Sequence, residues 1–256
     1  MLRIMRMKLA YKGFLLGVLV VLSLALSAPA LLDAATATDL PKGFFLETVA
    51  TGFNLPVAAH YAPDGRIFVV EKSGVVRIVK NGAVLVDPFI TLSDVNDYND
   101  RGLLDLAFDP DFENNGYVYL LYTYDANPAD YTGPKVGRLV RVTASGDVAT
   151  PGSEVVILGA DGVNSCEDLP VNSDCIPSDS PSHTIGTVRF AQDGTMFVSM
   201  GDGASFIDVD PLALRAQNID SLAGKILHIN ADGTGIASNP FYTGDPNDNR
   251  SKVWAY

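Results

Sequence analysis

Short apolar runs alternate with turn residues along most of the chain. The runs are rich in Val, Ile, Leu, Phe and Tyr, and many end in Asp-Gly, Asn-Gly or Ser-Gly. Such runs are typical of β-strands joined by tight turns, whereas the 3.6-residue periodicity of amphipathic helices is nearly absent. Residues 211–222 are an exception, since their apolar positions allow a short helix or a structured loop. The pattern predicts an all-β fold.

A two-part phrase occurs three times. Its first part is a turn followed by an apolar strand, and its second part is a glycine followed by another strand. The first parts lie at 62–70, 109–121 and 191–198, and the second parts at 74–78, 137–142 and 224–229. Repeats of roughly 50 to 80 residues with several short antiparallel strands are typical of β-propeller blades with loop insertions. A β-sandwich is the alternative, but it does not require a repeated phrase.

The repeats account for only part of a closed ring. Residues 38–256 contain three full repeats and the start of a fourth, and the chain stops at the apolar segment Val253–Tyr256. A ring removes its sheet edges only if the last blade meets the first. We therefore expect a partial β-propeller of about three to four blades, in a chain that is a fragment of a longer protein.

Residues 1–37 are predicted to be a signal peptide. A basic head at residues 3–12 precedes the apolar run 14–26, and small residues suited to cleavage follow at 28–30 and 35–37. The alternative is an uncleaved membrane anchor, because the apolar stretch can be extended toward the about 18 residues that a spanning helix needs. Ser27 and Pro29 disfavour that alternative. Residues 38–256 are thus expected to form an exported domain, periplasmic or extracellular, with no stable membrane span after cleavage.

The net charge argues against two classes of partner. The formal charge is −12, and removal of residues 1–37, with four basic residues and one acidic residue, changes it to −15. The remaining basic residues are scattered along the chain. Nucleic acid and anionic membranes are therefore not expected as partners.

Cys166 and Cys175 lie in one polar loop and are the two cysteines of the chain. In an exported protein such a pair most simply forms a disulfide. On the chain-entropy model, closing so short a loop stabilises the fold by roughly 2 to 3 kcal/mol. A zinc or redox site is the alternative, but no histidine or second cysteine pair stands near enough to complete a zinc site.

His183 and Asp202 are the candidate catalytic residues. They flank two predicted strands joined by a Gln-Asp-Gly turn, so the out-and-back path can bring them together. A neutral imidazole accepts a proton near neutral pH, and a carboxylate on its other nitrogen fixes the tautomer and stabilises the imidazolium. His60 and His228 fall within strand patterns and are expected to be structural.

Oxygen-rich segments provide weaker candidates for a metal site, and the metal ligands stay unknown. They are residues 94–100, residues 245–249, Asp208 and Asp210. Calcium takes oxygen ligands, but Asp and Asn are equally what ordinary turns need. The chain shows no Gly-rich phosphate loop and no nucleophile elbow, which disfavours nucleotide cofactors and serine hydrolase chemistry.

Several short motifs, taken in order, carry a family resemblance. They are Leu55-Pro56-Val57-Ala58, Arg101-Gly102-Leu103-Leu104-Asp105, His183 with Gly186, Gly201-Asp202, Leu222-Ala223-Gly224-Lys225-Ile226-Leu227, Asn239-Pro240-Phe241 and Trp254-Ala255-Tyr256. From about Leu40 to its end the chain resembles the soluble glucose/sorbosone dehydrogenase family. These are six-bladed propellers that use pyrroloquinoline quinone (PQQ) to oxidise aldose sugars.

The resemblance implies a mechanism and its partners. His183 would take the proton from the anomeric hydroxyl while hydride passes to the quinone, and Asp202 would be its partner. An external electron acceptor would reoxidise the cofactor. The main PQQ contacts are expected beyond residue 256, and Ca²⁺ is expected in the full-length protein.

The chain departs from the family pattern at two positions. Where the family has a sugar-binding glutamine, this chain has Asn99-Asp100-Arg101, so Asp100 or Arg101 is expected to face the sugar. A second glutamine position falls near Ile207, which cannot form its hydrogen bonds. These departures are what a non-catalytic extracellular propeller that serves as a binding module would show. A third alternative, a metal-dependent sugar-lactone hydrolase, would need acidic ligands at the central channel and no quinone.

Overall fold

The computed structural model describes residues 2–7, 40–159 and 162–256. The chain divides into two compact units, Met1–Thr51 and Gly52–Tyr256. Within the described ranges, no helix has the length and hydropathy that a membrane span needs.

The first unit contains one antiparallel strand pair. Strand β1 (Leu2–Met7) pairs with β2 (Phe44–Ala50), so that Met7 lies opposite Phe44 and Leu2 opposite Ala50. Apart from β1, the signal peptide expected over residues 1–37 lies outside the described residues. Its cleavage therefore stays a prediction.

The second unit contains three antiparallel sheets. Sheet 1 consists of β3 (Pro56–Tyr61), β4 (Ile67–Glu71), β5 (Val75–Lys80), β6 (Ala83–Val84) and β7 (Ile90–Thr91). Sheet 2 consists of β8 (Leu103–Phe108), β9 (Tyr117–Tyr124), β10 (Lys135–Ser145), β11 (Val148–Ala149), β12 (Val155–Leu158) and β13 (Ile176–Ser178). Sheet 3 consists of β14 (Ile185–Phe190), β15 (Met196–Met200), β16 (Ile226–Ile229) and β17 (Val253–Ala255). The prediction of an all-β fold is confirmed.

The described helices are short. They are α1 (Phe112–Asn115), α2 (Asn249–Lys252) and the 3₁₀ helices Cys166–Asp168 and Pro211–Gln217. The last of these lies in the segment for which the pattern allowed a short helix. Asp210 caps it by accepting a hydrogen bond from the Leu212 N–H at 2.9 Å, and Pro211 occupies the first position, where no N–H is needed.

The repeated phrase corresponds to the two middle strands of each sheet. Neighbouring strands follow one another as β3-β4-β5-β6, β8-β9-β10-β11 and β14-β15-β16-β17, while β7 pairs with β5, and β12 and β13 pair with β10. The two parts of the phrase form β4-β5, β9-β10 and β15-β16. Each occurrence therefore builds one meandering antiparallel sheet. Closure of such sheets into a six-bladed ring stays a prediction.

Two hydrophobic cores lie between the sheets. Fully buried side chains between sheets 1 and 2 include Phe68, Ile78, Leu106 and Leu120. Those between sheets 2 and 3 include Tyr119, Leu139, Val198 and Leu227. Complete burial of each such side chain stabilises the fold by about 1.5 to 3 kcal/mol. As a result β8 contacts β3 and β4 of sheet 1 and also β14 of sheet 3.

The predicted disulfide is present. Cys166 and Cys175 are bonded, with their Cα atoms 5.7 Å apart, and neither cysteine is free to bind a metal. The bond closes the loop between β12 and β13. Within it, Ser165 caps a 3₁₀ helix by accepting a hydrogen bond from the Glu167 N–H at 3.2 Å. This cross-linked loop leads through β13 directly to His183.

Candidate active site

His183 lies in the loop between β13 and β14 and has an unusual backbone. Its φ angle of 52° falls in the left-handed region that residues other than glycine rarely adopt. Such a backbone persists only where surrounding contacts hold it, and it is concentrated at functional sites. Here the His183 carbonyl accepts a hydrogen bond from the Gly203 N–H at 2.8 Å, and the Thr184 carbonyl accepts one from the Gly201 N–H at 2.6 Å.

Asp202 follows β15, and the β14-β15 hairpin places it beside His183. Ile185 lies opposite Met200 in this hairpin, and His183 Nδ1 is 3.1 Å from Asp202 Oδ1. An ionised carboxylate can only accept a hydrogen bond, so the contact requires the ring proton on Nδ1. Asp202 Oδ1 also accepts a hydrogen bond from the Ala204 N–H at 2.9 Å, which orients the carboxylate. The structure thus has the proximity that the hairpin pattern predicted.

The second ring nitrogen of His183, Nε2, is available to accept a proton. Among the described residues, none forms a hydrogen bond with Nε2, and 44% of the side chain is exposed. With the proton on Nδ1, Nε2 carries a lone pair directed away from Asp202. The arrangement can therefore accept a proton from a hydroxyl group that approaches from solvent.

Asp100, one of the two predicted sugar contacts, lies beside the His183 loop. Its N–H donates to the Pro181 carbonyl at 3.0 Å, and its own carbonyl accepts a hydrogen bond from Thr184 Oγ1 at 3.1 Å. The residue is exposed. A role for its carboxylate in binding sugar stays a prediction.

Arg101, the other predicted sugar contact, is fully buried. Its Nη2 donates to the carbonyls of Ser178 at 2.9 Å and Asp179 at 3.2 Å, and its Nη1 donates to Asn96 Oδ1 at 3.3 Å. Burial lowers the pKa of Arg101 to about 10. Its bonded donors are directed into the protein, where they support the loop that carries His183. A role for Arg101 in binding sugar stays a prediction.

Two residues at the site were missed by sequence reasoning. Arg215, in the 3₁₀ helix Pro211–Gln217, forms an ion pair with Asp179 and donates from Nε to the Asp202 carbonyl at 2.8 Å. A lone arginine in a short apolar segment and an aspartate in a Ser/Pro-rich loop give no specific sequence signal, since both are common on protein surfaces.

An apolar surface borders the pair. Phe206 is 77% exposed, and its ring centroid lies 6.1 Å from that of the His183 ring at an interplanar angle of 84°. Ile207 is also exposed. At this edge, where the family resemblance placed a glutamine, the site presents hydrocarbon and an aromatic face.

A second polar cluster joins the first strands of all three sheets. Asp105 on β8 is 3% exposed, and its carboxylate contacts His60 Nε2 on β3 at 2.7 Å. It also accepts hydrogen bonds from β14, from the Val188 N–H at 3.0 Å and from the side chains of Thr187 and Arg189. Burial alone would raise the pKa of Asp105, but the hydrogen bonds from His60, Thr187 and Val188 hold it below its ordinary value. The structural role expected of His60 agrees with this position.

The environment of His228 also agrees with a structural role. Its Nδ1 lies 2.9 Å from Asn239 Oδ1 and its Nε2 lies 2.9 Å from Thr195 Oγ1. The ring stacks on Phe197 with a centroid separation of 4.3 Å. Because both ring nitrogens are engaged, neither is left for chemistry.

Side chains of the oxygen-rich segments accept hydrogen bonds within the protein. Asp245 accepts a hydrogen bond from the Asn247 N–H, Asp248 caps α2, and Asp97 accepts one from Tyr131 Oη at 2.6 Å. Within the described part of the chain, no group of three or more His, Cys, Asp or Glu side chains is arranged to hold a metal. The contacts of residues 245–249 are those of turn and capping residues, whereas Asp97 bonds to a residue 34 positions away.

The chain resembles solved structures of sugar dehydrogenases. One is a putative oxidoreductase (glucose dehydrogenase) from Thermus thermophilus, which is 25% identical with a TM-score of 0.59; the match covers 81% of this chain and 52% of that one. Another is the PQQ-bound form of an aldose sugar dehydrogenase from Streptomyces coelicolor, which is 23% identical with a TM-score of 0.56; here the shares are 78% and 51%.

Curated relatives include enzymes and other proteins. Quinoprotein glucose dehydrogenase B of Acinetobacter calcoaceticus is 25% identical over 220 residues, which cover 79% of this chain and 42% of the relative. Human Hedgehog-interacting protein is 26% identical over 211 residues, which cover 77% of this chain and 27% of the relative. The chain thus spans about half, or less, of the length of the curated relatives it matches.

A family model describes most of the second unit. The model of Glucose / Sorbosone dehydrogenase matches residues 53–256. The matched range contains the three sheets, the disulfide and the His183–Asp202 pair. The chain belongs to the glucose/sorbosone dehydrogenase family.

Proposed function

We propose that His183 and Asp202 are the general-base pair of a sugar dehydrogenase that oxidises an aldose at its anomeric carbon. The observation that carries the proposal is the 3.1 Å contact between His183 Nδ1 and Asp202 Oδ1, with Nε2 left free. Nε2 accepts the proton of the anomeric hydroxyl, and this makes hydride loss from the same carbon easier. Asp202 stabilises the imidazolium that forms and keeps the ring oriented.

We propose PQQ as the group that accepts the hydride, as the names of the enzyme relatives suggest. PQQ carries three carboxylates, which call for cationic partners. Three cations on the segments around the pair are already engaged: Arg101 with carbonyls, Arg215 with Asp179, and Lys225 Nζ with two backbone carbonyls at 2.6 and 2.8 Å. The described residues therefore do not by themselves fit the cofactor. We assign to them only sugar binding and proton transfer, and we expect cofactor contacts and Ca²⁺ from parts of the longer relatives that this chain does not span.

The proposed location is outside the cytoplasm, periplasmic or extracellular. Support comes from the signal-like segment at residues 1–37 and from the Cys166–Cys175 disulfide, since disulfides form and persist in oxidising compartments. The mature domain would begin near residue 31 or 38. Mass spectrometry of the exported protein identifies its N-terminus, and an intact Met1 would support the membrane-anchored alternative.

Substitution of the pair tests the proposed reaction. The protein is extended through the rest of its parent gene, so that the expected cofactor contacts are present, and is purified and supplied with PQQ and Ca²⁺; dye reduction is then followed with a panel of aldoses. Loss of a general base costs about 10²- to 10⁴-fold in rate, so His183→Ala should lower kcat by that factor and leave the fold unchanged. Asp202→Asn tests the second member of the pair. Ser182→Ala is the matched control for His183→Ala, and Asp208→Asn, at an exposed position, is the control for Asp202→Asn. A His183→Ala variant that reduces dye at the unsubstituted rate would contradict the proposal.

A non-catalytic binding module is the second candidate function. It is supported by the similarity to human Hedgehog-interacting protein and by the two departures at the sugar-binding positions, buried Arg101 and apolar Ile207. If the extended protein folds but neither binds PQQ nor reduces dye with any aldose, the binding-module function is favoured.

A further inference from the structure

Arg215 connects the two segments that carry the catalytic pair: residues 179–183, which contain His183, and residues 202–203, which contain Asp202. Its Nε donates to the Asp202 carbonyl at 2.8 Å, its Nη2 donates to the Gly203 carbonyl at 3.1 Å, and its Nη1 pairs with the Asp179 carboxylate. The side chain of Arg215 is 15% exposed and that of Asp179 is 12% exposed. The planar guanidinium suits this arrangement, because its donors lie in a rigid fork that meets three acceptors at once.

The first segment leads into His183, and the second begins with Asp202. Asp179 precedes His183 by four residues, and Ser180 on the same segment donates its N–H to the Gly203 carbonyl at 2.9 Å. Gly203 in turn donates its N–H to the His183 carbonyl. The approach is close enough that a Cβ at Gly203 would lie 2.6 Å from the Pro177 carbonyl oxygen. Backbone hydrogen bonds and the Arg215 guanidinium thus join the two segments together.

The helix that bears Arg215 is itself anchored at both ends. At its start, the Asp210 carboxylate accepts hydrogen bonds from the N–H groups of Leu212 at 2.9 Å and Ser205 at 2.8 Å. At its end, Lys225 Nζ donates to the Ala216 carbonyl at 2.6 Å. Asp179 is also held on its far side, where Oδ1 accepts a hydrogen bond from Ser165 Oγ at 3.1 Å. The guanidinium is thus a fixed bridge between two anchored structures.

We propose that Arg215 is a positioning residue that keeps His183 hydrogen-bonded to Asp202 and so keeps the imidazole proton on Nδ1. The left-handed backbone of His183 needs outside support. Without the guanidinium, the Asp202 carbonyl and the Asp179 carboxylate lose their shared partner, and only backbone hydrogen bonds then hold the two segments, so that the side chains of His183 and Asp202 are positioned less tightly. A lysine at 215 offers a point charge on a flexible stem and cannot bond to all three acceptors in the same way.

The experiment measures the tautomer of His183 directly. Long-range ¹H–¹⁵N spectra of the ring nitrogens are recorded for the protein and for Arg215→Ala and Arg215→Lys, and the chain's three histidines keep assignment simple. The unsubstituted protein should show His183 with its proton on Nδ1, whereas Arg215→Ala should show a mixture of tautomers and Arg215→Lys an intermediate state. Arg250→Ala is the control, because Arg250 forms an exposed ion pair with Asp220 away from the pair.

The rate consequence rests on the proposed function, but the spectroscopic outcome does not. Under that function, Arg215→Ala in the extended protein should lower kcat about 10- to 100-fold with little change in KM, less than the loss expected on removing the base itself. If Arg215→Ala shows a tautomer mixture but the unsubstituted extended protein oxidises no sugar, the positioning role is supported and the dehydrogenase proposal is contradicted. A folded Arg215→Ala protein that keeps one tautomer, with the proton on Nδ1, would overturn the positioning role whatever its rate. If Arg215→Ala does not fold, Arg215→Lys and Asp179→Asn provide the same comparison.

Discussion

Two buried cations near the candidate site, Arg101 and Lys225, donate hydrogen bonds to backbone carbonyls. Arg101 donates to the carbonyls of Ser178 and Asp179, and Lys225 donates to those of Ala216 and Ala223. Carbonyl dipoles compensate a buried charge only in part, so the charged form is disfavoured relative to water. Burial accordingly lowers the pKa of Lys225 from 10.5 to about 8.

This lowered pKa predicts a pH dependence of stability. Between pH 8 and 10.5 the unfolded chain keeps a proton on Lys225 that the folded protein releases. The free energy of unfolding therefore receives a contribution from Lys225 that rises with pH across this window. Lys225→Met should remove that contribution, as judged by urea denaturation at several pH values between these limits. Lys80→Met, at an exposed lysine paired with Asp147, is the control, and an equal pH dependence in both variants would contradict the prediction.

At the scale of elements, the disulfide loop and β13 determine the path of the chain into His183. The Cys166–Cys175 bond closes the loop, β13 fastens its end to β10, and Ser165 holds Asp179 through its hydroxyl. A long loop without regular structure is otherwise costly to order, because each fixed residue loses about 1 to 2 kcal/mol of backbone entropy. The cross-link reduces that cost by restricting the unfolded chain.

Removal of the cross-link should loosen this element selectively. The double variant Cys166→Ser/Cys175→Ser is expected to lose roughly 2 to 3 kcal/mol of stability by urea denaturation. Hydrogen exchange should become faster in residues 162–184 and stay unchanged in sheet 1, whose strands pair with one another. A reducing agent should affect the unsubstituted protein and leave the variant unaltered. Equal exchange rates in the loop of both proteins would show that the loop is held by its other contacts.

At the scale of the whole second unit, Asp105 links sheets that are distant in sequence. Its bonds to His60 and to the Val188 N–H join positions 45 and 83 residues away. Because its pKa is lowered in the folded state, its contribution is fully present above the unfolded pKa of about 3.9 and is lost as the pH falls through the folded value. Asp105 should therefore contribute to acid unfolding.

Asp105→Asn tests this link. Loss of a buried charge from its paired and hydrogen-bonded partners typically costs about 3 to 5 kcal/mol, so the variant should be less stable at pH 7. Its free energy of unfolding should also fall less steeply than that of the unsubstituted protein below about pH 4, because asparagine does not titrate. The exposed Asp87→Asn is the matched control. An Asp105→Asn protein as stable as this control would show that the hydrophobic cores alone hold the three sheets together.

The amino-acid sequence by itself determined the local features of this protein. The apolar runs and their turns identified the middle strands of each sheet, two cysteines in one loop predicted the disulfide, and a short hairpin predicted that His183 and Asp202 meet. Each of these depends on residues close in sequence, where turn chemistry and strand alternation restrict the chain strongly.

Only the tertiary structure decided which polar residues are buried and what they bond. Arg101 was expected as a possible sugar contact, but it is buried against the loop that carries His183. Arg215 and Asp105 carried no sequence signal for the contacts they form with distant segments. Apart from Asn96, the partners of these three residues lie from 12 to 84 residues away, on segments that meet only after the sheets have packed. In an isolated strand or turn, the same polar side chains would form their hydrogen bonds with water. Their roles therefore depend on tertiary packing and cannot be read from the order of residues along the chain.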